Sequence, residues 1–212
     1  MSAPERERLS AIRAEHRRAQ FVGGRWLLRT LLAESLGGDP RDWRLDAGQD
    51  GPPRLLVPHA ADVHLGLSHS ADVIACAVAA APLGIDVEAP RRPRDLPGLA
   101  TLCFDATEQS MLAALAGSAH EALFHELWTV KEAWLKSRAE ALAPRRLVHV
   151  HVRELQGGGC AQAATWCAAG WTLAVAAPAL GPLRWHAPQP GPQRRWTVHD
   201  GTDAVPRGPT AA

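Results

Sequence analysis

The 212-residue chain has no tyrosine and no asparagine, and only two of its 23 basic residues are lysine. Aromatic residues make up 5%. Its four cysteines, Cys76, Cys103, Cys160 and Cys167, stand apart. None forms a C-x-x-C pair, and no His/Cys group has zinc spacing, so neither a structural zinc site nor a disulfide framework is expected. Isolated cysteines suit a reducing compartment. No apolar run reaches the ~18 residues of a membrane span. The first residues, MSAPERERLSAIRAEHRR, are charged and lack an apolar signal-peptide core. These absences predict a cytoplasmic protein. Net charge is +1, so no overall field draws in nucleic acid. What remains, 46% hydrophobic and 21% charged residues, is the make-up of a globular chain with a sizeable core.

The pattern alternates between helix and strand. An apolar stripe of Phe21, Val22, Trp26, Leu27, Leu31 and Leu32 predicts a helix from about Ser10 to Leu36, ended by Gly37-Gly38. Three strands are predicted at Val63–Leu67, Asp72–Ala79 and Leu83–Glu88. A basic loop, Arg91 to Arg94, follows. Helices are predicted at Asp105–Ala116, with Asp105 and Glu108 as a capping box, and at Ala119–Arg138. Strands return in RRLVHVHVREL, AQAATWCAA and WTLAVAAP. From Pro188 onward Pro, Gly, Gln and Arg dominate, and a disordered tail is expected over 188–212. The segments ACAVAAAPLG and TLAVAAPALG resemble each other, which fits an α+β fold of two similar halves. We divide the chain at 1–84 and 85–187.

Both lysines fall in LWTVKEAWLK, residues 127–136. Lysine and arginine are not interchangeable: lysine is a compact, strongly hydrated point charge, arginine a planar fork. On a helix Trp128, Glu132 and Lys136 share one face. A surface Glu-Lys pair is one reading. Beside Phe124, Leu127, Trp128 and Leu135, however, the two charges are expected to be partly buried and to need a partner or ligand.

Two further strings carry polar chemistry. In GIDVE, Asp86 and Glu88 lie on one face of a strand, with Cα atoms ~6.7 Å apart. At an effective dielectric of about 20 they repel by about 2 kcal/mol. Taken alone, D-x-E is most simply an exposed strand end. With Glu132 as a third carboxylate, it becomes an oxygen-only set suited to Mg²⁺, and Lys136 could neutralise a phosphate beside it. Lys131 points elsewhere on the helix. In LSHS, Ser68 and His69 point apart on extended backbone, so they are a poor nucleophile–base pair and a better phosphate contact.

The order of a basic helix, SHS, GIDVE and WTVKEAWLK resembles the 4'-phosphopantetheinyl transferases of the long, surfactin-synthetase-activator (Sfp) type. The resemblance runs from about Phe21 to Leu142, with a weaker match at WTLAVAAP. It rests on the ordered pair G-[IV]-D-x-E and W-[TS]-x-K-E-A-x-x-K. FDATE, residues 104–108, also looks like the family's F-S-x-x-E. The resemblance implies two similar α+β halves with the active site at their junction. It implies transfer of the phosphopantetheine arm of coenzyme A to a serine of an apo carrier protein. By position, Asp86, Glu88 and Glu132 would hold Mg²⁺, Lys136 would contact phosphate, and Ser68 and His69 would meet the 3'-phosphate end of coenzyme A. Arg25 would be the family's first-helix arginine, and Glu132 could also activate the attacking hydroxyl.

Two departures stand out. Where the family has G-K-P, this chain has Gly51-Pro52-Pro53, with Arg54 as a possible substitute. Where the family has glycines after the lysine helix, it has Ala139 and Ala141, which strains the backbone if φ must be positive. Two alternatives stay open: a Mg²⁺-dependent phosphodiesterase or nuclease, and a degenerate member that binds coenzyme A or carrier without turnover. The charge balance speaks against a nucleic-acid substrate. Fatty acid, polyketide and nonribosomal peptide carriers are all compatible. Carriers are usually acidic, which makes Arg91, Arg92 and Arg94 candidate docking residues. With two halves in one chain, a monomer is expected.

Overall fold

A computed structural model describes residues 1–46, 53–56, 62–89, 94–140, 142–168, 170–187 and 193–201. Thirteen elements follow one another: α1 (Ala3–Ala11), α2 (Glu15–Leu36), β1 (His64–Ser70), β2 (Val73–Ala79), β3 (Gly84–Glu88), α3 (Leu96–Cys103), α4 (Ala106–Ala113), α5 (Gly117–Ser137), α6 (Pro144–Leu147), β4 (Val150–Glu154), β5 (Ala163–Ala168), β6 (Trp171–Ala176) and β7 (Gln193–Asp200). The fold is α+β, with antiparallel pairing in both sheets.

In the N-terminal part, α2 packs its apolar face on the β1–β2 hairpin. Leu28 and Leu32 meet Leu65, Leu67 and Val78 there, together with Leu45 and Leu55. The C-terminal part is a five-stranded sheet in the order β3-β6-β5-β7-β4. One face of that sheet carries α5, which buries Phe124, Leu127, Val130, Ala133 and Trp134 against Val150, Val152, Ala163, Ala174 and Trp196. Each large side chain fully buried here contributes ~1.5–3 kcal/mol. The opposite face buries Ile85, Val87, Trp166, Leu173 and Val175 against Val73, Ala75 and Ala77 of β2. No helix among the described residues is long and apolar enough to cross a membrane.

Strand β3 joins the two parts. It pairs with β6, Asp86 opposite Ala174 and Glu88 opposite Thr172, and runs beside β1 in the same direction. Gly66 of β1 approaches Ile85 so closely that a Cβ would lie 2.7 Å from its Cγ2. The division at 84/85 falls at the first residue of β3. The two parts are unequal, a two-stranded hairpin against a five-stranded sheet.

Several expectations are corrected. The first helix is two: α1 and α2 are separated at residues 12–14, where Ile12 is extended. Its capping box, Ser2 with Glu5, starts α1 well before the apolar stripe. The segment after the basic loop forms α3, capped by Asp95, which accepts from the Gly98 N–H at 3.0 Å. RRLVHVHVREL begins as α6, with Pro144 in its first turn, before β4. The tail expected to be disordered contains β7, which sits between β5 and β4 inside the sheet. Trp196 of β7 is fully buried, and its Nε1 donates to Thr165 Oγ1 at 2.9 Å. The period-two pattern of QRRWTVHD outweighs the Pro- and Gly-rich composition around it. The remainder of that tail, 188–192 and 202–212, lies outside the described residues.

Candidate active site

Alternation along β3 sends Ile85 and Val87 into the apolar cluster behind the sheet and leaves Asp86 and Glu88 on the α5 side. The same side of Gly84 lies against α5: a Cβ there would stand 1.8 Å from the Ala133 carbonyl oxygen. Glycine is what allows the strand to run directly under the helix, beneath the turn that carries Glu132 and Lys136. Asp86, Glu88 and Glu132 then each offer one carboxylate oxygen within 4.8 Å of the others. The three acids expected to converge do so.

Lys136 reaches into this cluster. Its ammonium donates to Asp86 Oδ1 and, at 3.3 Å, to Ser68 Oγ, and lies 4.0 Å from Glu132 Oε2. Ser68 itself donates to Asp86 Oδ1 at 2.9 Å. Asp86 Oδ2 is buried and has no hydrogen-bond partner among the described residues, although a buried carboxylate oxygen ordinarily takes one. Burial, then the Asp86 charge, pushes Glu132 up to about 7. Burial also raises Glu88, against the opposing pull of Arg94, 3.5 Å away. A crowded set of oxygen ligands, one with a free buried lone pair, fits a hard divalent cation, which would offset the mutual repulsion.

His69 faces Arg17 of α2, whose Nη1 lies 3.0 Å and 3.1 Å from the two ring nitrogens. Burial, then the Arg17 charge, holds the imidazole below its ordinary pKa. Arg17 thus adds a guanidinium that no sequence pattern singled out: it reaches His69 only because α2 packs on the hairpin. Glu108 of FDATE is fully buried and 2.6 Å from Lys131 Nζ, which also donates to the carbonyls of Cys103 at 2.8 Å and Leu147 at 3.0 Å. The first lysine of the motif is therefore a core brace joining α5 to α3, α4 and α6.

Arg25 lies in the middle of α2. It is buried, its Nε 3.4 Å from Glu5 Oε1 and its guanidinium over the Phe21 ring. Among the described residues, the charged groups that act on it most strongly are Glu5, Arg29, Asp46 and Arg8. The desolvated Glu5 carboxylate, brought in by α1, demands cations, and Arg25 and Arg29 supply them. Arg91, Arg92, Gly51, Pro52 and Ala141 lie outside the described residues. Arg54 lies at the isolated Leu45–Leu55 bridge, where its N–H bonds Asp46.

A sequence model of the 4'-phosphopantetheinyl transferase superfamily matches residues 82–176, the stretch that holds all three carboxylates and Lys136. Over 155 residues the chain is 32% identical to the 4'-phosphopantetheinyl transferase HetI of Nostoc sp. (strain PCC 7120), covering 72% of this chain and 65% of the relative. It is 31% identical over 143 residues to a 4'-phosphopantetheinyl transferase of Bacillus subtilis, covering 68% and 62%. With the 4'-phosphopantetheinyl transferase Sfp of Bacillus subtilis strain 168 it shares 31% over 117 residues, covering 55% and 50%. The chain is thus similar to the 4'-phosphopantetheinyl transferases, over the stretch that builds the acidic cluster. It spans less than two thirds of the length of each of these relatives.

Proposed function

We propose that this chain transfers the 4'-phosphopantetheine arm of coenzyme A to a serine of an apo carrier protein and releases 3',5'-ADP. The observation that carries this reading is the convergence of Asp86, Glu88 and Glu132 within 4.8 Å, beside an ammonium group, in a chain similar to these transferases. The three carboxylates would hold Mg²⁺, which, when bound, supplies positive charge against the pyrophosphate. Lys136 neutralises charge on the phosphate that departs with the leaving group. Ser68 and His69, with Arg17 alongside, bind the 3'-phosphate end of coenzyme A. Glu132 accepts the proton of the carrier serine, directly or through water, as the new O–P bond forms and the phosphoanhydride bond breaks.

The Arg91–Arg94 loop is the docking surface proposed for an acidic carrier. Within it Arg94 is part-exposed and contacts Glu88, so carrier and acidic cluster would meet at one rim. We further propose that the protein acts as a cytoplasmic monomer.

The test is to mix the protein with coenzyme A, Mg²⁺ and apo acyl, peptidyl and polyketide carriers, and to follow intact mass. A gain of one phosphopantetheine arm on a carrier serine is expected. Cleavage of coenzyme A without transfer would instead identify a phosphodiesterase, and binding without either product a non-catalytic member. Both outcomes overturn the proposal.

A further inference from the structure

Strand β1 carries a second serine, Ser70, which repeats the contacts of Ser68 one pleat further on. Ser68 Oγ accepts the Val87 N–H at 3.3 Å and lies 2.9 Å from Asp86 Oδ1. Ser70 Oγ accepts the Ala89 N–H at 3.0 Å and lies 3.5 Å from Glu88 Oε2. Since β1 and β3 run in the same direction, the two-residue period of S-x-S matches that of D-x-E. Side-chain hydroxyls, rather than carbonyls of β1, take the two N–H groups that follow the two acids.

A hydroxyl has one hydrogen and two lone pairs. Once the Ala89 N–H fills a lone pair of Ser70, the remaining hydrogen has Glu88 as its acceptor at hand. Among the described residues the other ion-pair partner of Glu88 is Arg94, whose side chain is 40% exposed, and such a pair restrains little. We propose that Ser70 is a positioning residue that holds the Glu88 carboxylate toward Asp86 and Glu132. This rests on the reading of those three acids as a divalent-cation site.

The test compares Ser70→Thr with Ser70→Val, a nearly isosteric pair that differs in the hydroxyl, and adds Ser70→Ala. The readout is Mn²⁺ affinity measured by electron paramagnetic resonance without coenzyme A, with thermal unfolding alongside. Loss of the hydroxyl should weaken Mn²⁺ binding ~10-fold, the scale for groups that orient metal ligands, and Ser70→Thr should restore it to within about twofold. If Ser70→Thr and Ser70→Val bind Mn²⁺ equally, Ser70 does not position Glu88. Wild type and Glu132→Gln separate the two levels. Equal affinity in that pair refutes the metal reading, and this inference with it. A clear difference there, with no effect at Ser70, refutes only the role of Ser70.

Discussion

Gly84 and Ala133 set the distance between the strand and the helix that build the site: a Cβ on Gly84 would come within 1.8 Å of the Ala133 carbonyl oxygen and 2.6 Å of the Ser137 nitrogen. Both are backbone atoms of α5, so no side-chain rotation relieves the clash. Gly84→Ala must push β3 away from α5, carrying Asp86 and Glu88 away from Glu132. Overpacking at this level costs about 3 kcal/mol or more. Chemical denaturation should show that loss, and transfer activity should fall by more than the unfolded fraction accounts for. A variant with wild-type stability and activity would mean that the approach is not needed.

Glu132→Gln keeps the shape of the side chain and removes its charge. The fold should persist, because Glu132 is not among the acids that brace the core. Activity should fall by more than the ~10–100-fold typical of groups that only support metal ligands. Activity near wild type, across a Mg²⁺ titration, would remove Glu132 from the site.

Lys136→Arg tests the choice of lysine. The ammonium fits between Asp86, Ser68 and Glu132, where a planar guanidinium would need more width and would spread its charge. We expect a fall of at least tenfold in kcat/KM (about 1.4 kcal/mol) with stability nearly unchanged. Equal activity would show that only positive charge matters at this position.

How much of this was legible in the sequence depends on where each constraint comes from. Asp86, Glu88, Glu132 and Lys136 were legible because period two and period 3.6 fix which side chains share a face, whatever the rest of the chain does. β7 is masked in the sequence by the Pro- and Gly-rich composition around it, although Trp196 and Val198 already mark an inward face. The pairing of Arg25 with Glu5 is not legible, because Glu5 lies twenty residues away on a helix recognisable only by its capping box. Arg17 beside His69 depends on how α2 lies across the hairpin, which no local pattern encodes. The acids in the core, Glu5 and Glu108, look like surface residues until their cations are known.

Lys131 and Lys136 lie in one motif but predict opposite phenotypes. Lys131 is buried completely with Glu108. Lys131→Met removes the nearer cation from that carboxylate, leaving it Arg153 at 3.5 Å and the N–H groups of Asp105 and Val152, and should cost ~3 kcal/mol, visible as a lower urea midpoint. Replacing both partners, Lys131→Met with Glu108→Gln, should recover part of the loss. If Lys131→Met alone is neutral, the buried pair contributes nothing.

Ala139 closes α5 in a left-handed conformation, φ +55°. Its N–H bonds the Lys136 carbonyl at 3.1 Å, and the Glu140 N–H bonds the Leu135 carbonyl at 3.0 Å. These two bonds make a Schellman ending, a position that favours glycine. An L-residue pays ~1–2 kcal/mol for this conformation, while glycine costs back ~0.4–1 kcal/mol through the freedom of the unfolded chain. Ala139→Gly should therefore stabilise the protein by about 0.5–1 kcal/mol, read as a higher urea midpoint at constant slope. Because the same turn fixes the C-terminal end of the helix that presents Lys136, relief of the strain should leave KM for coenzyme A equal or lower. A destabilised Ala139→Gly protein would show that the turn is held by its neighbours rather than strained by its alanine.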